Sequence, residues 1–369
     1  MLLFTASPTD LPPRVRKALS RPMIHPDLDP EFFSLYADVV KKVSEVTGTR
    51  NDLLIMAGEG MLVLDSAVAN LVEEGDKVLT ISSGFYGDGL QRFVRNYGGD
   101  AITLRSADGD TVTASEIDRA LEKNPEVGVA TFVHTETPCG TMGPLREVGK
   151  VCNDHDVLLI ADTITSLGGV LVEADRNHVD VALGATQKCF SAPPGLAMIS
   201  VSRRAWEKID GRKQPVRSFY LDLIPWRNSW LADRSSFPYA QSVSDLFALS
   251  AGLDLIFEEG LDHVYRRHEK VAELVRGSCE EMGLDLFARS REISAETVTS
   301  VSVPRGVDEK KLRDRMVKKH GVMISGSWGE TAGRVLLLGH MGYGAHKKKA
   351  RLATEALAES LRTLGFRKR

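Results

Sequence analysis

Short apolar runs alternate with amphipathic stretches through the first half of the chain. The apolar runs predict buried strands, and the stretches between them place apolar residues at helical spacing. The predicted strands lie at 53–57, 78–81, 101–104, 127–133 and 157–161, and the predicted helices at 61–72, 87–97, 114–123 and 145–155. Strands and helices in this order predict an α/β fold whose mostly parallel sheet is covered on both faces.

The pattern changes toward both ends of the chain. Residues 1–15 predict an extended arm, because Pro8, Pro12 and Pro13 exclude a helix interior. Other predicted helices lie at 15–19, 29–46, 242–259, 262–281, 309–319 and 346–361, and other strands at 298–303, 322–325 and 335–338. An aromatic, proline-punctuated stretch spans 219–239. We therefore expect an arm (1–15), a large domain (16–255) and a smaller α+β domain (256–369).

Length and charge narrow the class of protein. The 369 residues suffice for two domains that share a cleft, and the net charge of −3 gives no electrostatic case for nucleic-acid binding. The chain contains no run of 18 apolar residues, and its N-terminus lacks the basic start and apolar core of a signal peptide. We expect a soluble, cytoplasmic protein that binds neither nucleic acid nor a membrane.

The four cysteines, Cys139, Cys152, Cys189 and Cys279, have no CxxC spacing and no histidines at metal-ligand spacing. They predict reduced thiols and no metal site. Cys189 could be a reactive thiol, but a small buried filler is favoured because free cysteine is so often simply buried.

The most informative stretch is 181–202, VALGATQKCFSAPPGLAMISVS, with Lys188 at its centre. Apolar runs at 179–183 and 196–201 predict two core strands, and Pro193-Pro194-Gly195 predicts a turn between them. An ordinary loop lysine is solvent-exposed. A lysine buried between core strands has a lowered pKa instead, and its neutral amine is a nucleophile for carbonyls.

A second stretch supplies an acid partner for this lysine. The strand predicted at 157–161 ends in Asp162, which is followed by TITSLGG. An acid at the end of a central strand, some distance before a lysine on a strand-turn-strand, is the pair that a pyridoxal cofactor requires. The lysine carries the aldimine, and the aspartate keeps the pyridinium nitrogen protonated so that the ring accepts carbanion charge.

The segments LLIADTITSLGG and ATQKCFSAPPGLAMIS resemble those of class V, fold type I aminotransferases, which depend on pyridoxal 5′-phosphate (PLP). The nearest group is that of alanine-glyoxylate, serine-pyruvate and pyridoxamine-pyruvate aminotransferases. The similarity runs from FTASPTDLPPRVRKAL to GHMG. It implies a seven-stranded, mostly parallel sheet in the large domain and a homodimer with active sites at the interface.

The resemblance also implies roles for individual residues. Lys188 and Asp162 take the catalytic positions. The turn Gly58-Glu59-Gly60 matches a phosphate-binding turn, where free amides and the helix dipole favour an anion. The remaining matches are Tyr86 as the ring stacked on the pyridine, Thr137 as a contact to the ring hydroxyl, Gln187 as a phosphate or loop contact, and Ser7 in the arm near the substrate. His134 is interpreted as a satisfied core histidine.

Two departures from the family pattern concern the phosphate. Glu59 stands where phosphate-binding relatives commonly carry a small or neutral residue and where pyridoxamine-pyruvate aminotransferase carries glutamate. A carboxylate close to a dianion costs energy unless it points away. The loop FPYAQSV places Phe237 and Ala240 where the neighbouring subunit usually offers a tyrosine and a threonine to the phosphate.

A third departure concerns the substrate carboxylate. Relatives that act on α-amino acids bind it with an arginine just before Gly-His-Met-Gly, where this chain has Leu337. Arg334 lies three residues earlier, which on a regular strand is the opposite face. Trp328 falls where pyridoxamine-specific relatives carry another arginine. We expect a substrate without an α-carboxylate in the usual place, or a carboxylate held by a residue that the pattern does not identify.

These features predict a PLP-dependent aminotransferase that moves an amino group from a small amine or amino acid to an oxo acid or aldehyde through Lys188. One alternative is a pyridoxamine:oxo-acid aminotransferase that uses unphosphorylated vitamin B6 as a substrate, which Glu59, Phe237 and Ala240 favour. Another keeps the fold but makes the enzyme a lyase or decarboxylase. A non-catalytic homologue that binds a partner is the alternative that the intact Lys188 and Asp162 disfavour.

Overall fold

The computed structural model describes residues 1–368. Its strands are β1 Leu2–Leu3, β2 Asp52–Gly58, β3 Lys77–Ser82, β4 Asp100–Arg105, β5 Val127–Val133, β6 Thr135–Glu136, β7 Thr141–Met142, β8 Leu158–Asp162, β9 Val181–Ala185, β10 Gly195–Val201, β11 Val298–Ser302, β12 Val322–Met323, β13 Ser325–Gly326 and β14 Val335–Gly339. Its α-helices are α1 Pro13–Ala18, α2 Pro30–Thr47, α3 Gly60–Leu71, α4 Phe85–Asn96, α5 Ala114–Lys123, α6 Leu145–Asp154, α7 Arg203–Asp210, α8 Ile224–Asn228, α9 Trp230–Asp233, α10 Val243–Glu259, α11 Leu261–Glu281, α12 Glu309–Arg315 and α13 Lys347–Thr363.

A seven-stranded sheet in the order β2-β10-β9-β8-β5-β3-β4 forms the centre of the fold. Neighbours from β9 to β4 pair in parallel, whereas β10 is antiparallel to both β9 and β2. Strands β8 and β9 are buried along their whole length, as expected for a sheet covered on both faces. The predicted α/β architecture with a mostly parallel sheet is confirmed.

Two of the helices around this sheet begin with local capping signals in the sequence. Asp29 caps α2 by accepting a hydrogen bond from the N–H of Glu31, and Gly48 ends the helix in the left-handed conformation. Thr113 and Glu116 form a capping box at the start of α5. These signals fix both ends of α2 and the start of α5.

A second, three-stranded sheet in the order β11-β14-β13 lies in the C-terminal part of the chain. It has its own apolar core, which includes residues of α11, α12 and α13 together with Phe4. The N-terminal strand β1 pairs in parallel with β12, so the first residues of the predicted arm join this part of the fold. The division at residues 15 and 255 stays a prediction.

Some local predictions need correction. The arm is not extended through residue 15, because α1 begins at Pro13. The helix predicted at 309–319 ends as an α-helix at Arg315 and continues as a π-helical turn, Met316–His320. The strand predicted at 322–325 is two short strands, β12 and β13, which pair with different partners. No helix within residues 1–368 combines the length and apolarity needed to cross a membrane.

Candidate active site

The lysine and the acid singled out in the sequence meet at one edge of the central sheet. Asp162 is the last residue of β8, and Lys188 follows the end of β9 by three residues. Strands β8 and β9 are parallel neighbours in which Asp162 pairs with Leu183. Adjacent strands lie about 4.8 Å apart, so this register brings the two chain segments together at the carboxyl edge.

Lys188 is buried, with 5% of its surface exposed. Its Nζ donates a hydrogen bond to the backbone oxygen of Ala6 at 3.0 Å, and Thr9 Oγ1 donates to the Lys188 carbonyl at 3.0 Å. The N-terminal arm therefore holds the lysine loop from one side. Burial lowers the pKa of Lys188 to about 8, against the opposing effect of the Asp162 charge. A larger fraction of the amine is therefore neutral near pH 8 than for an exposed lysine.

Asp162 is also buried, and its Oδ1 accepts a hydrogen bond from the N–H of Ile164 at 2.9 Å. Burial raises its pKa to about 6, while this hydrogen bond and the charge of Lys188 act in the opposite direction. The carboxyl group is therefore mainly ionised at pH 7. An anion and an ionisable amine thus border the same space.

That space is a cavity to which most of the predicted site residues contribute. Its lining residues are Ser7, Glu59, Gly60, Met61, Leu64, Tyr86, Thr135, Asp162, Ile164, Thr165, Gln187 and Lys188. Gly60 packs closely against Ile164, since a Cβ at residue 60 would lie 2.8 Å from Ile164 Cδ1 and would require that side chain to move. The sequence had pointed to Ser7, Glu59, Gly60, Tyr86, Asp162, Gln187 and Lys188 among these.

Four predicted site residues lie outside the cavity lining. Gly58 ends β2 opposite Gly195, and Thr137 is buried with its hydroxyl 2.8 Å from that of Thr165, which does line the cavity. Trp328 packs edge-on against Tyr86 with ring centroids 6.1 Å apart. Leu337 belongs to an apolar cluster that also contains Ala6 and Cys189, the neighbours of Ser7 and Lys188.

Glu59 lies at the amino end of α3, where it is the N-cap. Its Oε1 accepts a hydrogen bond from the N–H of Met61 at 3.1 Å, and its Oε2 accepts one from Gln187 Nε2 at 3.4 Å. Helix amino ends attract anions. The chain's own carboxylate therefore lies at the helix amino end that the sequence had assigned to a phosphate and bonds one of its N–H groups.

The other departures from the family pattern take these places. Arg334 is exposed just before β14 and points its Nη1 toward the backbone oxygen of Glu330, while Leu337 on β14 is fully buried. Phe237 packs among the rings of Phe32, Phe33 and Tyr36, and Ala240 is exposed. Arg334 does not line the cavity, and Leu337, Phe237 and Ala240 are uncharged, so none of the four brings a positive charge to it.

His134 is the core histidine that the sequence predicts. Its Nδ1 lies 2.9 Å from Ser166 Oγ, and burial lowers its pKa to about 4, so the ring is neutral at pH 7. Cys189 is buried, and burial raises the pKa of its thiol to about 12, which disfavours the reactive thiolate. Within residues 1–368, no three acidic, histidine or cysteine side chains cluster in a way that could hold a metal ion.

Comparison with known proteins identifies the family. The model of the family described as aminotransferase class-V matches residues 1–344. An uncharacterized aminotransferase of Methanocaldococcus jannaschii is 38% identical over 367 residues, which cover 99% of this chain and 94% of that protein. The pyridoxamine–pyruvate transaminase of Mesorhizobium japonicum is 34% identical over 365 residues, with 99% and 92% covered. This chain belongs to the class V aminotransferases.

Solved structures agree with this assignment. The pyridoxamine-pyruvate aminotransferase from Mesorhizobium loti superposes with a TM-score of 0.95 at 33% identity, covering 100% of this chain and 93% of that one. The alanine–glyoxylate aminotransferase from Nostoc sp. gives a TM-score of 0.93 at 32% identity, with 98% and 95% covered. The predicted family, fold, PLP dependence and transamination of small molecules are confirmed for this class V aminotransferase.

The residues present fit a polar, planar cofactor. Within the described residues, Gln187 Oε1 and Thr135 Oγ1 are buried oxygens without a hydrogen-bond partner, and both residues line the cavity. Unpaired buried polar atoms are costly, so such atoms at a cavity indicate a missing ligand or water. The Asp162 carboxylate can pair with a protonated ring nitrogen, and the Lys188 amine can react with a carbonyl carbon.

Thr135, Ile164 and Thr165 line the cavity but were not singled out in the sequence. Thr135 lies two residues before the predicted Thr137, in the short hairpin formed by β6 and β7. A two-residue strand carries too little alternation to show which threonine faces the site. The two threonines differ in that the Thr135 hydroxyl has no hydrogen-bond partner, whereas the Thr137 hydroxyl bonds that of Thr165. This difference appears only in the three-dimensional structure.

Proposed function

We propose that Lys188 holds the cofactor covalently and, as a free amine, moves the proton between the substrate carbon and the cofactor carbon. Bound PLP supplies an electron-accepting ring. Asp162 keeps the ring nitrogen protonated, and Tyr86 packs beside the ring. The observation that carries this proposal is that the buried amine and the buried carboxylate line one cavity. The tests by substitution of Lys188 and Asp162 open the Discussion.

We assign the polar contacts to the ring to Thr135, Thr165 and Gln187. The unpaired oxygens of Thr135 and Gln187 support this choice, as does the position of Thr165 between the cavity and Thr137. Thr137 then acts by orienting the Thr165 hydroxyl. Ser7 and the rest of the arm border the substrate, since Ala6 and Thr9 bond to Lys188.

The substrate of the proposed reaction carries no carboxylate next to its reacting carbon. Leu337 and Trp328 support this, because both replace arginines expected from the family and both are uncharged. No lysine or arginine other than Lys188 lines the cavity in the part of the chain that the structure describes. The best match is a primary amine as donor and an aldehyde as acceptor.

Introducing a cation at Trp328 is expected to create a preference for oxo acids. A charged hydrogen bond contributes about 1.5–3 kcal/mol, so Trp328→Arg should raise kcat/KM for pyruvate about tenfold or more relative to an aldehyde acceptor. Trp328→Leu is the matched control, because it removes the ring without adding charge. Fast reaction of the wild-type protein with alanine, serine or aspartate in single-turnover measurements would contradict the proposed substrate class.

A second candidate function is transamination of unphosphorylated pyridoxamine. It is favoured by the Glu59 carboxylate at the amino end of α3, which would repel a phosphate dianion bound there. On this proposal vitamin B6 without its phosphate is the amino donor and leaves as pyridoxal.

The two candidates differ in how Glu59→Gln changes vitamin B6 binding. If Glu59 excludes phosphate, the wild-type apoprotein binds pyridoxal more tightly than PLP, and Glu59→Gln shifts the ratio toward PLP by about tenfold, since it removes one charge repulsion. Asp65→Asn is the control, because Asp65 lies further along α3 and accepts a hydrogen bond from Tyr97. Fluorescence titrations measure both affinities. Tighter PLP binding by the wild type, unchanged in Glu59→Gln, would rule out the second candidate.

We also propose that the enzyme is a cytoplasmic homodimer. Met61, which lines the cavity, is 43% exposed, and the aromatic residues Phe219 and Tyr220 are 63% and 44% exposed, as expected for surfaces that a second copy covers. The four cysteines are free and buried, which fits a reducing compartment. Light scattering coupled to size-exclusion chromatography should give twice the mass of 40.4 kDa. A monomer mass at micromolar concentration would contradict the proposal.

A further inference from the structure

We propose that Glu136 is a positioning residue for Tyr86: its buried carboxylate holds the backbone at the start of α4 and thereby fixes the Tyr86 ring at the cavity. The proposal rests on the role given to Tyr86 in the proposed function. Glu136 itself does not line the cavity and is not a catalytic residue.

The hydrogen bonds of Glu136 are the first argument. Its Oε1 accepts from the N–H of Tyr86 at 3.0 Å, and its Oε2 accepts from the N–H of Gly87 at 3.1 Å. Glu136 is 1% exposed, and no lysine, arginine or histidine of residues 1–368 forms an ion pair with it within 4.0 Å. Both oxygens of a buried carboxylate are thus committed to two adjacent backbone amides.

The start of α4 needs such a partner. The first N–H groups of a helix lack intrahelical acceptors and are usually satisfied by the N-cap side chain. The N-cap of α4 is Gly84, which has no side chain and provides no such hydrogen bond. Glu136, which reaches α4 from the β6–β7 hairpin, therefore performs the capping from another part of the chain.

Gly84 leaves the space that Glu136 occupies. A Cβ at residue 84 would lie 2.7 Å from Glu136 Cγ and 2.9 Å from Cys139 Sγ, closer than such atoms approach in real structures. The turn before α4 therefore packs closely against the β6–β7 hairpin, with no room for a side chain at residue 84. This fit explains a glycine at a position where Ser, Thr, Asp or Asn is more usual.

The ring of Tyr86 is held separately from its backbone. Phe85 and Trp328 each pack edge-on against Tyr86, with centroid distances of 5.5 and 6.1 Å. The ring packing limits the tilt of the Tyr86 ring, whereas the hydrogen bonds to Glu136 fix the position of the Tyr86 backbone from which the side chain extends. Together they place Tyr86 in the lining of the cavity to which Asp162 and Lys188 also contribute.

The pKa of Glu136 determines the pH at which its role is tested. Burial raises the pKa of Glu136 to about 8, and the carboxylates of Asp162 on β8 and Asp88 on α4 act in the same direction. The N–H groups of Tyr86 and Gly87 act in the opposite direction. The phenol of Tyr86 and the thiol of Cys139 also lie within electrostatic reach of the Glu136 carboxylate, and Arg105 on β4 pairs with Asp88. Raising the pH above neutrality therefore favours the ionised form, which has two acceptor oxygens.

The test compares Glu136→Gln with Asp180→Asn at pH 8.5. Glu136→Gln replaces one of the two acceptor oxygens with an NH2 group, which donates and cannot accept from the backbone N–H that it faces. Hydrogen exchange of the apoprotein across residues 84–90 should therefore accelerate about tenfold. The dissociation constant for PLP or pyridoxal should rise by a similar factor. Asp180 is a buried carboxylate that also accepts from a backbone N–H, that of Leu159, at the opposite edge of the sheet, and it additionally pairs with Arg204 at 3.7 Å. Its variant should lose thermal stability without changing either local measurement.

The outcomes separate positioning from general stability. Faster exchange at 84–90 and weaker cofactor binding in Glu136→Gln, absent in Asp180→Asn, support the proposal. Equal exchange and equal cofactor affinity in the two variants overturn it, whatever their melting temperatures. If the wild-type protein binds neither PLP nor pyridoxal, the proposed function fails, and the exchange measurement on the apoprotein still decides whether Glu136 holds the backbone of Tyr86.

Discussion

Replacing Lys188 with alanine is expected to abolish transamination while the protein stays folded. Proton transfer by a positioned base contributes roughly 10²–10⁴-fold to rates, so kcat should fall by at least that factor. The side chain makes one hydrogen bond, from Nζ to the Ala6 oxygen, and burying its charge is unfavourable. Its loss therefore costs little stability. Coupled absorbance assays and thermal melts measure the two effects.

A surface lysine provides the control for this substitution. Lys42 on α2 pairs with Asp38 and Asp254, and Lys42→Ala should leave kcat unchanged. Exogenous small amines should partly restore proton transfer in Lys188→Ala, because they can enter the space that the side chain leaves. Substantial transamination by Lys188→Ala without added amine would show that another group carries the reaction.

Asp162→Asn is expected to lower kcat about 100-fold with little change in fold. A charged hydrogen bond contributes up to about 3 kcal/mol, which corresponds to this factor. Asparagine can still accept the N–H of Ile164 through its Oδ1, so the chain after β8 keeps its conformation. It cannot, however, keep a ring nitrogen protonated. Steady-state kinetics on the PLP-loaded variant give the magnitude.

The variant should also change the titration of Lys188. The charge of Asp162 opposes the effect of burial on Lys188, so its removal should lower the pKa of this lysine below about 8. The rate at which the apoprotein captures pyridoxal should then reach its plateau at a lower pH than in the wild type. Wild-type kcat in Asp162→Asn, or an unchanged capture profile, would contradict the role given to Asp162.

The central sheet could be predicted because its strands are continuous apolar runs. Strand β5 and helix α5 begin and end at the predicted residues, and most other elements shift by only one or two. Buried parallel strands are short, continuous apolar runs, whereas the amphipathic helices between them place apolar residues at helical spacing. The sequence therefore carried most of the information about the α/β part of the fold.

The elements that escaped prediction are short or depend on distant partners. Strand β1 has two residues and exists through its pairing with β12, more than 300 positions away in the sequence. Helix α7 is highly polar, and α8 and α9 have only five and four residues. Helices α8 and α9 are too short to show a period, whereas α7 places its buried residues Ala205, Trp206 and Ile209 at helical spacing, but over only eight residues.

The residues around the cavity also divide into those with a local signal in the sequence and those that depend on distant partners. The meeting of Asp162 and Lys188 at one cavity could be predicted, because Asp162 ends a buried strand and Lys188 follows the next strand by three residues. The contacts of Glu136 could not, since its partners Tyr86 and Gly87 are some 50 residues away and offer only backbone N–H groups. Thr137 was singled out because it matches the family residue that contacts the ring hydroxyl, and the resemblance gave no signal for Thr135, which lines the cavity.

Borohydride reduction followed by peptide mass spectrometry tests the central proposal most directly. The protein is mixed with PLP or pyridoxal, reduced to fix any lysine-bound cofactor, digested and analysed for peptides that have gained the mass of the reduced cofactor. Lys188 as the position of the added mass is the predicted result, with no label in Lys188→Ala. Stoichiometric labelling of another lysine, or no labelling of the folded wild-type protein, would contradict it.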